Sequence, residues 1–342
     1  MSAHRLVSTL WRSVSIRLMA PFVDESISIN SPILTNNQIQ DYAKQLDAIA
    51  AKLPANPKQS SAMRQGEQPS RYMGAGMEYE ESRPYEIGDE IRRINWKLMA
   101  KTGKAYTKLY QEERQESWFI LVDHRSSMRF STRSQLKATQ AARLAGYFAW
   151  QAQQAGIPVS VARLADSFEQ SPIFEGRSAY SQIMQAVSKP CPPKQANEKE
   201  PLLNDVLLNL NHQLQPGSRL ILLSDFHDLD DRSSEILTAM QDFLLIKAVL
   251  IQDLAETRIP DLTGLQLQSI VDGRNYQIAS KSQRASFQAW SQDYFEDIAN
   301  RLRVANVSYY QLSTEADLTE INQVLSAGIG LPLSADKGRQ YG

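Results

Sequence analysis

A chain of 342 residues has room for one large or two modest domains, and 42% hydrophobic with 22% charged residues is the make-up of a folded protein. With 37 basic and 38 acidic side chains the formal net charge is −1, which supplies no global field for nucleic acid. The single cysteine, Cys191, excludes an internal disulfide and suits a reducing compartment. No run approaches the roughly 18 apolar residues that span a bilayer, and the first residues lack a signal peptide's apolar core. A cytoplasmic location is the expectation.

Residues 1–20 carry His4, Arg5, Arg12 and Arg17 but no acid, and Leu6, Val7, Leu10, Trp11, Val14 and Leu18 recur at helical spacing. Such a helix lies on a membrane surface, docks to a partner, or packs on its own domain. Residues 21–34 read as a connector. Thr35 to Gln38 has capping-box spacing and opens a helix that runs to about residue 53, before Pro54. After a polar loop over 56–69, glycines, aromatics and charges of both signs dominate residues 71–116. Gly74 and Gly76 read as turns, because a phosphate-cradling loop needs a strand before it and a helix after it. In 85–97, Gly88-Asp89 marks a turn, Ile91, Ile94 and Trp96 are placed toward a core, and Arg92, Arg93 and Lys97 toward ion pairs with Glu78, Glu80, Glu81, Glu86, Asp89 and Glu90. Residues 105–110 alternate as a strand does.

From residue 117 the pattern is regular. Residues 118–123 and 220–225 are apolar runs that each end on an acid, Asp123 and Asp225, the signature of strands buried on both faces. Further strands are predicted over 159–164, 245–252 and 307–312, and helices over 134–154, 180–187, 202–214, 233–244, 285–304 and 317–325. A hairpin is predicted around Asp272-Gly273, and residues 189–201, with four prolines, form a loop. This alternation argues an α/β fold with a doubly wound, mostly parallel sheet over 116–326, preceded by an N-terminal helical and irregular arm over 1–115 and followed by a loose tail over 327–342. Ligands of such sheets lie beyond the carboxyl ends of the strands, so Asp123 and Asp225 define the candidate site.

Asp123-x-Arg125-x-Ser127 after a buried strand resembles the metal-ion-dependent adhesion site of von Willebrand factor A domains, Asp-x-Ser-x-Ser. Upstream, Tyr85, Gly88, Asp89, Arg92, Ile94 and Trp96, with Ala100-Lys101-Thr102 and Glu112-Glu113, resemble the bacterial family called domain of unknown function 58, which joins this signature to a von Willebrand A-like domain. The resemblance covers about residues 65–255. It implies a non-enzymatic, protein-binding adaptor or assembly factor that works with a MoxR-type AAA+ ATPase.

The adhesion-site pattern holds Mg²⁺ with the Asp and two Ser of the first loop, a later Thr and a later Asp. Asp123, Ser127 and Asp225 match. Arg125 replaces the first serine, and Glu200-Pro201 occupies the Thr position. A guanidinium between Asp123 and Asp225 would supply the charge Mg²⁺ supplies elsewhere, so a degenerate site without metal is expected. His124 and His227 beside the two acids open a Zn²⁺ alternative. An enzyme reading uses Asp123 and Asp225 in a metal-dependent phosphohydrolase, against which Arg125 stands where a second carboxylate normally assists. Lys137 is set aside as lying inside a helix. A third reading is a peripheral membrane factor anchored by residues 1–20. No cofactor and no nucleic acid are expected, and the contact face for a protein partner is the carboxyl edge of the sheet.

Overall fold

The computed structural model describes residues 14–15, 31–52, 73–86, 88–111, 116–129, 135–192, 199–259, 266–269, 275–277 and 280–326. The tail over 327–342 and the loop stretch 193–198 lie outside them. The chain divides into two compact units, residues 1–59 with 117–342, and residues 60–116. The stretch expected as one arm over 1–115 is therefore split, its first helix belonging with the α/β unit.

That unit is built from α1 (Asn36–Lys52), β1 (Trp118–Asp123), α2 (Lys137–Ala155), β2 (Val159–Leu164), β3 (Phe168–Gln170), α3 (Ala179–Val187), α4 (Leu203–Gln213), β4 (Arg219–Ser224), α5 (Asp231–Gln241), β5 (Leu245–Gln252), α6 (Lys281–Val304), β6 (Ser308–Ser313) and α7 (Leu318–Ser326). The six-stranded sheet runs 3-2-1-4-5-6, all pairs parallel except the short antiparallel edge strand β3. The doubly wound expectation is met. In this order the chain reverses direction across the sheet between β1 and β4, and a crevice opens beyond their carboxyl ends.

Each face of the sheet has its own core, which is why the strands read as unbroken apolar runs. Trp118, Ile120 and Val122 of β1 join Ile221 and Leu223 of β4 under α1, α2, α3 and α7. Phe119 and Leu121 join Leu220 and Leu222 under α4, α5 and α6. The small-residue face of α2 lets that helix approach closely: a Cβ on Gly146 would stand 2.5 Å from the Met184 Sδ. The Thr35 capping box forms as its spacing predicts, with Gln38 N–H donating to Thr35 Oγ1 and Thr35 N–H to Gln38 Oε1. Strands at 266–269 and 275–277 pair antiparallel on either side of Asp272-Gly273, as predicted. One expectation fails nearby: Val14–Ser15, inside the stretch with helical spacing, is a two-residue strand paired with 266–269. The remainder of 1–20 lies outside the described residues.

The second unit is an antiparallel ribbon of Met73–Pro84 and Tyr106–Gln111, joined by a helix at Trp96–Thr102. Gly74 and Gly76, expected as turns, fall inside the first strand, where the register shifts between Met73 and Glu78. Glycine suits such a bulge. The Gly88-Asp89 turn is real: Gly88 has φ 115°, and the Asp89 carboxylate accepts from Glu86 N–H, Thr107 Oγ1 and Arg83. Its pKa is lowered, first by the Glu86 N–H. Asn95 caps the helix by accepting from Leu98 N–H.

Only Ile94 of the three expected core residues is buried. Ile91 is 65% and Trp96 59% exposed, because the helix begins at Trp96, directly after the Ile94–Thr107 bridge, and turns the indole outward. The ion pairing expected of Arg92 and Lys97 is also absent among the described residues. Glu86 and Asp89 pair with Arg83, and Arg92 and Lys97 are exposed without a side-chain partner.

Candidate functional site

Asp123 ends β1 and Asp225 follows β4, so two neighbouring strands deliver both acids to the crevice, and both are buried. Arg125 shares the crevice, with its side chain 1% exposed. Its guanidinium meets Asp123 bidentately, Nε to Oδ1 at 3.0 Å and Nη2 to Oδ2 at 2.7 Å. The opposite edge does not face Asp225, as the sequence suggested, but Asp228: Nη1 to Oδ2 at 2.5 Å and Nη2 to Oδ1 at 2.8 Å. Nη1 also donates to the Pro201 carbonyl at 3.3 Å, so every N–H of the fork is used. Burial opposes the charge, but Asp123 and Asp228 outweigh it and hold the Arg125 pKa above its ordinary value.

Asp225 has a different cation. Lys137, set aside as a helix residue, is the first residue of α2, and its side chain is 1% exposed. Nζ reaches Asp225 Oδ2 at 2.7 Å and also bonds Glu256. A cation in the first turn of a helix opposes the macrodipole, and here two carboxylates compensate. Burial would raise the Asp225 pKa, yet the Lys137 charge drives it well below the carboxylate range. Glu256 goes the other way, raised by burial and by the Asp225 charge against the pull of Lys137. Ser127 Oγ lies 3.2 Å from Asp225 Oδ1 and 3.0 Å from His227 Nδ1. Burial pulls the His227 pKa down, but the hydrogen bond and charge of Asp225 win and raise it.

The loop before α4 closes the third side. Glu200 accepts from Ser126 N–H at 2.7 Å and from Ser126 Oγ at 2.8 Å, while Asp228 accepts from Leu203 N–H at the start of α4. Ser224 Oγ donates to Asp123 Oδ2 at 2.6 Å and accepts from Phe226 N–H. Between Asp225 and His227, Phe226 takes φ 54°, a left-handed conformation rare for a bulky residue, and its ring is fully buried. Such strain persists only where surroundings over-determine it, which is common at functional loops.

The adhesion-site family implies Mg²⁺ here, and the donor set can be tested against it. Asp123, Asp225 and His227 each bring one ligand atom within 4.8 Å of the others. However, Asp123 Oδ1 already accepts from the Arg125 N–H and Nε, and Oδ2 from Arg125 Nη2 and Ser224 Oγ. Asp225 Oδ2 is held by Lys137. A divalent ion would have to displace two buried, fully bonded cations, so these residues do not fit it. His124 is no ligand for Zn²⁺ in this cluster. It is fully buried, its ring nitrogens have no partner among the described residues, and burial first, then the Arg163 charge, depresses its pKa to about 3. The same saturation opposes Asp123 as a phosphohydrolase nucleophile, which needs an exposed, free oxygen.

The pattern Asp123, Arg125, Ser127, Asp225 is thus gathered in one crevice, while Tyr85, Gly88, Asp89, Arg92, Ile94 and Trp96 belong to the other unit. Missed by sequence reasoning were Lys137, Ser224, Asp228 and Glu256. Only Lys137 carried a local signal, its place at a helix N-terminus.

No helix among the described residues is long and apolar enough to cross a membrane. No curated protein matches the chain. Among solved structures it is similar to the conserved hypothetical protein BatB from Bacteroides thetaiotaomicron, 13% identical over 62% of this chain and 98% of that one, with a TM-score of 0.42. An aerotolerance-related membrane protein from Bacteroides fragilis is 11% identical over 61% and 94%, with a TM-score of 0.38. The VWA domain of SpRpn10 is 11% identical over 65% and 100%, with a TM-score of 0.34. The family described as protein of unknown function DUF58 matches residues 81–295, well over half of the sequence. With that match and the 3-2-1-4-5-6 sheet, the chain belongs to the DUF58 family and carries a von Willebrand A-like α/β unit.

Proposed function

We propose that this protein is a non-catalytic binding module whose carboxyl sheet edge takes a protein partner, with a MoxR-type AAA+ ATPase as the partner that the family resemblance suggests. The observation that carries the reading is the saturation of the crevice. Arg125 and Lys137 stand where an adhesion site holds its cation, and they lock the loops after β1 and β4 into one shape. A preorganised surface loses less entropy on binding. On its rim, Leu202, between the Arg125 acceptor Pro201 and the start of α4, is 57% exposed, and Leu254, just before Glu256, is 52% exposed. Each presents an exposed apolar side chain a residue or two from a group bonded into the crevice, the kind of side chain that a protein interface buries.

The test is binding of purified full chain to a purified MoxR-type ATPase from the same genome, by biolayer interferometry. Leu202→Asp and Leu254→Asp are expected to weaken binding by about 30-fold each, the loss of a centre residue worth about 2 kcal/mol, with the circular dichroism spectrum unchanged. Affinity equal to wild type in both variants would place the interface elsewhere.

A further inference from the structure

Residues 91–104 contain Arg92, Arg93, Lys97, Lys101 and Lys104 and no acid. The structure leaves Arg92, Lys97, Lys101 and Lys104 exposed, without ion pair or side-chain hydrogen bond among the described residues. Trp96 and Ile91 stand exposed among them. On the helix Trp96–Thr102, Trp96 and Ala100 share one face with Lys97 and Lys101 beside it, since positions four apart stack. Tyr85, Gly88, Asp89 and Ile94 are accounted for by the turn, the bridge and the core of this unit, whereas among the described residues Arg92 has no ion pair and Trp96 is 59% exposed.

We propose that this surface seats on an anionic lipid bilayer. An exposed indole ringed by ammonium groups is the chemistry of a membrane interface, where the ring sits at headgroup level and long basic side chains reach the lipid phosphates. A protein interface is a poorer match, because lysine is depleted there. A nucleic-acid groove interleaves its basic side chains with several stacking aromatics, and residues 91–104 hold a single aromatic, Trp96.

The experiment is co-sedimentation of the full chain with vesicles of phosphatidylcholine alone or mixed with phosphatidylserine, at low and at moderate salt. Wild type is expected to sediment with the phosphatidylserine vesicles only, less so as salt rises. Lys97→Gln with Lys101→Gln is expected to lower partitioning about 30-fold, at about one surface charge's contribution each, and Trp96→Ala to lower it several-fold. These positions are exposed, so the variants fold. Equal sedimentation of wild type and the double variant, or equal binding to both vesicle types, overturns the proposal. So does retention of a DNA duplex in a gel shift by wild type that fails to sediment.

Discussion

Arg125→Met is expected to cost about 3–5 kcal/mol of stability, the cost of leaving a buried charge without its partner. Methionine keeps most of the volume and removes the fork. Asp123 loses two of its donors and Asp228 both its guanidinium contacts, while the Arg125 backbone N–H survives the substitution and keeps one bond to Asp123. Thermal unfolding should fall by roughly 6–20 °C, at a few degrees per kcal/mol for a unit of this size. The pH dependence should change with it. In wild type, burial raises the Asp228 pKa, but the Arg125 hydrogen bonds and charge outweigh it and leave it lowered. A lowered carboxylate contributes stability above its unfolded pKa of about 4 and loses it as pH falls through the folded value. Arg125→Met removes the cause of the lowering, so its loss relative to wild type shrinks in acid. A midpoint within about 1 °C of wild type at neutral pH would mean that Arg125 is not what balances Asp123 and Asp228.

Lys137→Met has a comparable cost and an opposite slope. Without Nζ, Asp225 and Glu256 face one another as buried like charges, and both folded pKa values rise above those of the unfolded chain. A raised acid binds more protons when folded, so the variant gains stability as pH falls from neutrality toward the carboxylate range. Wild type, in which Asp225 is lowered, loses its contribution as the pH drops through that group's folded value. Glu256, already raised in wild type, runs against Asp225 and keeps the wild-type slope shallow. Urea midpoints at pH 5 and pH 8 decide it: the deficit of Lys137→Met should be about 3–5 kcal/mol at the higher pH and clearly smaller at the lower. A deficit independent of pH would mean that the lysine acts by packing alone.

The strands and both acids were legible because a strand buried on two faces has nowhere to place a polar residue until it leaves the sheet. Trp118 to Val122 and Leu220 to Leu223 are such runs, and Asp123 and Asp225 mark their exits. The α1 start was legible because its cap is local. The partners of the acids were not. Asp228 lies 103 residues from Arg125, and Lys137 lies 88 from Asp225 and 119 from Glu256, so no spacing rule joins them. Arg125 was expected between Asp123 and Asp225, and the structure pairs it with Asp123 and Asp228 instead, in a loop whose left-handed Phe226 no local signal announces at a phenylalanine. The helix at Trp96–Thr102 was missed since seven residues show no helical period, and with it the outward turn of Trp96.

The most direct test of the central claim, that arginine and lysine hold the place of a metal, is isothermal titration of Mg²⁺ into chelator-stripped full chain, wild type against the double variant Arg125→Ser, Lys137→Met. Wild type is expected to give no saturable heat and the double variant saturable binding, since the serine restores an oxygen and the two changes free Asp123 and Asp225. Saturable binding by wild type would contradict that claim and return the crevice to the metal-dependent readings.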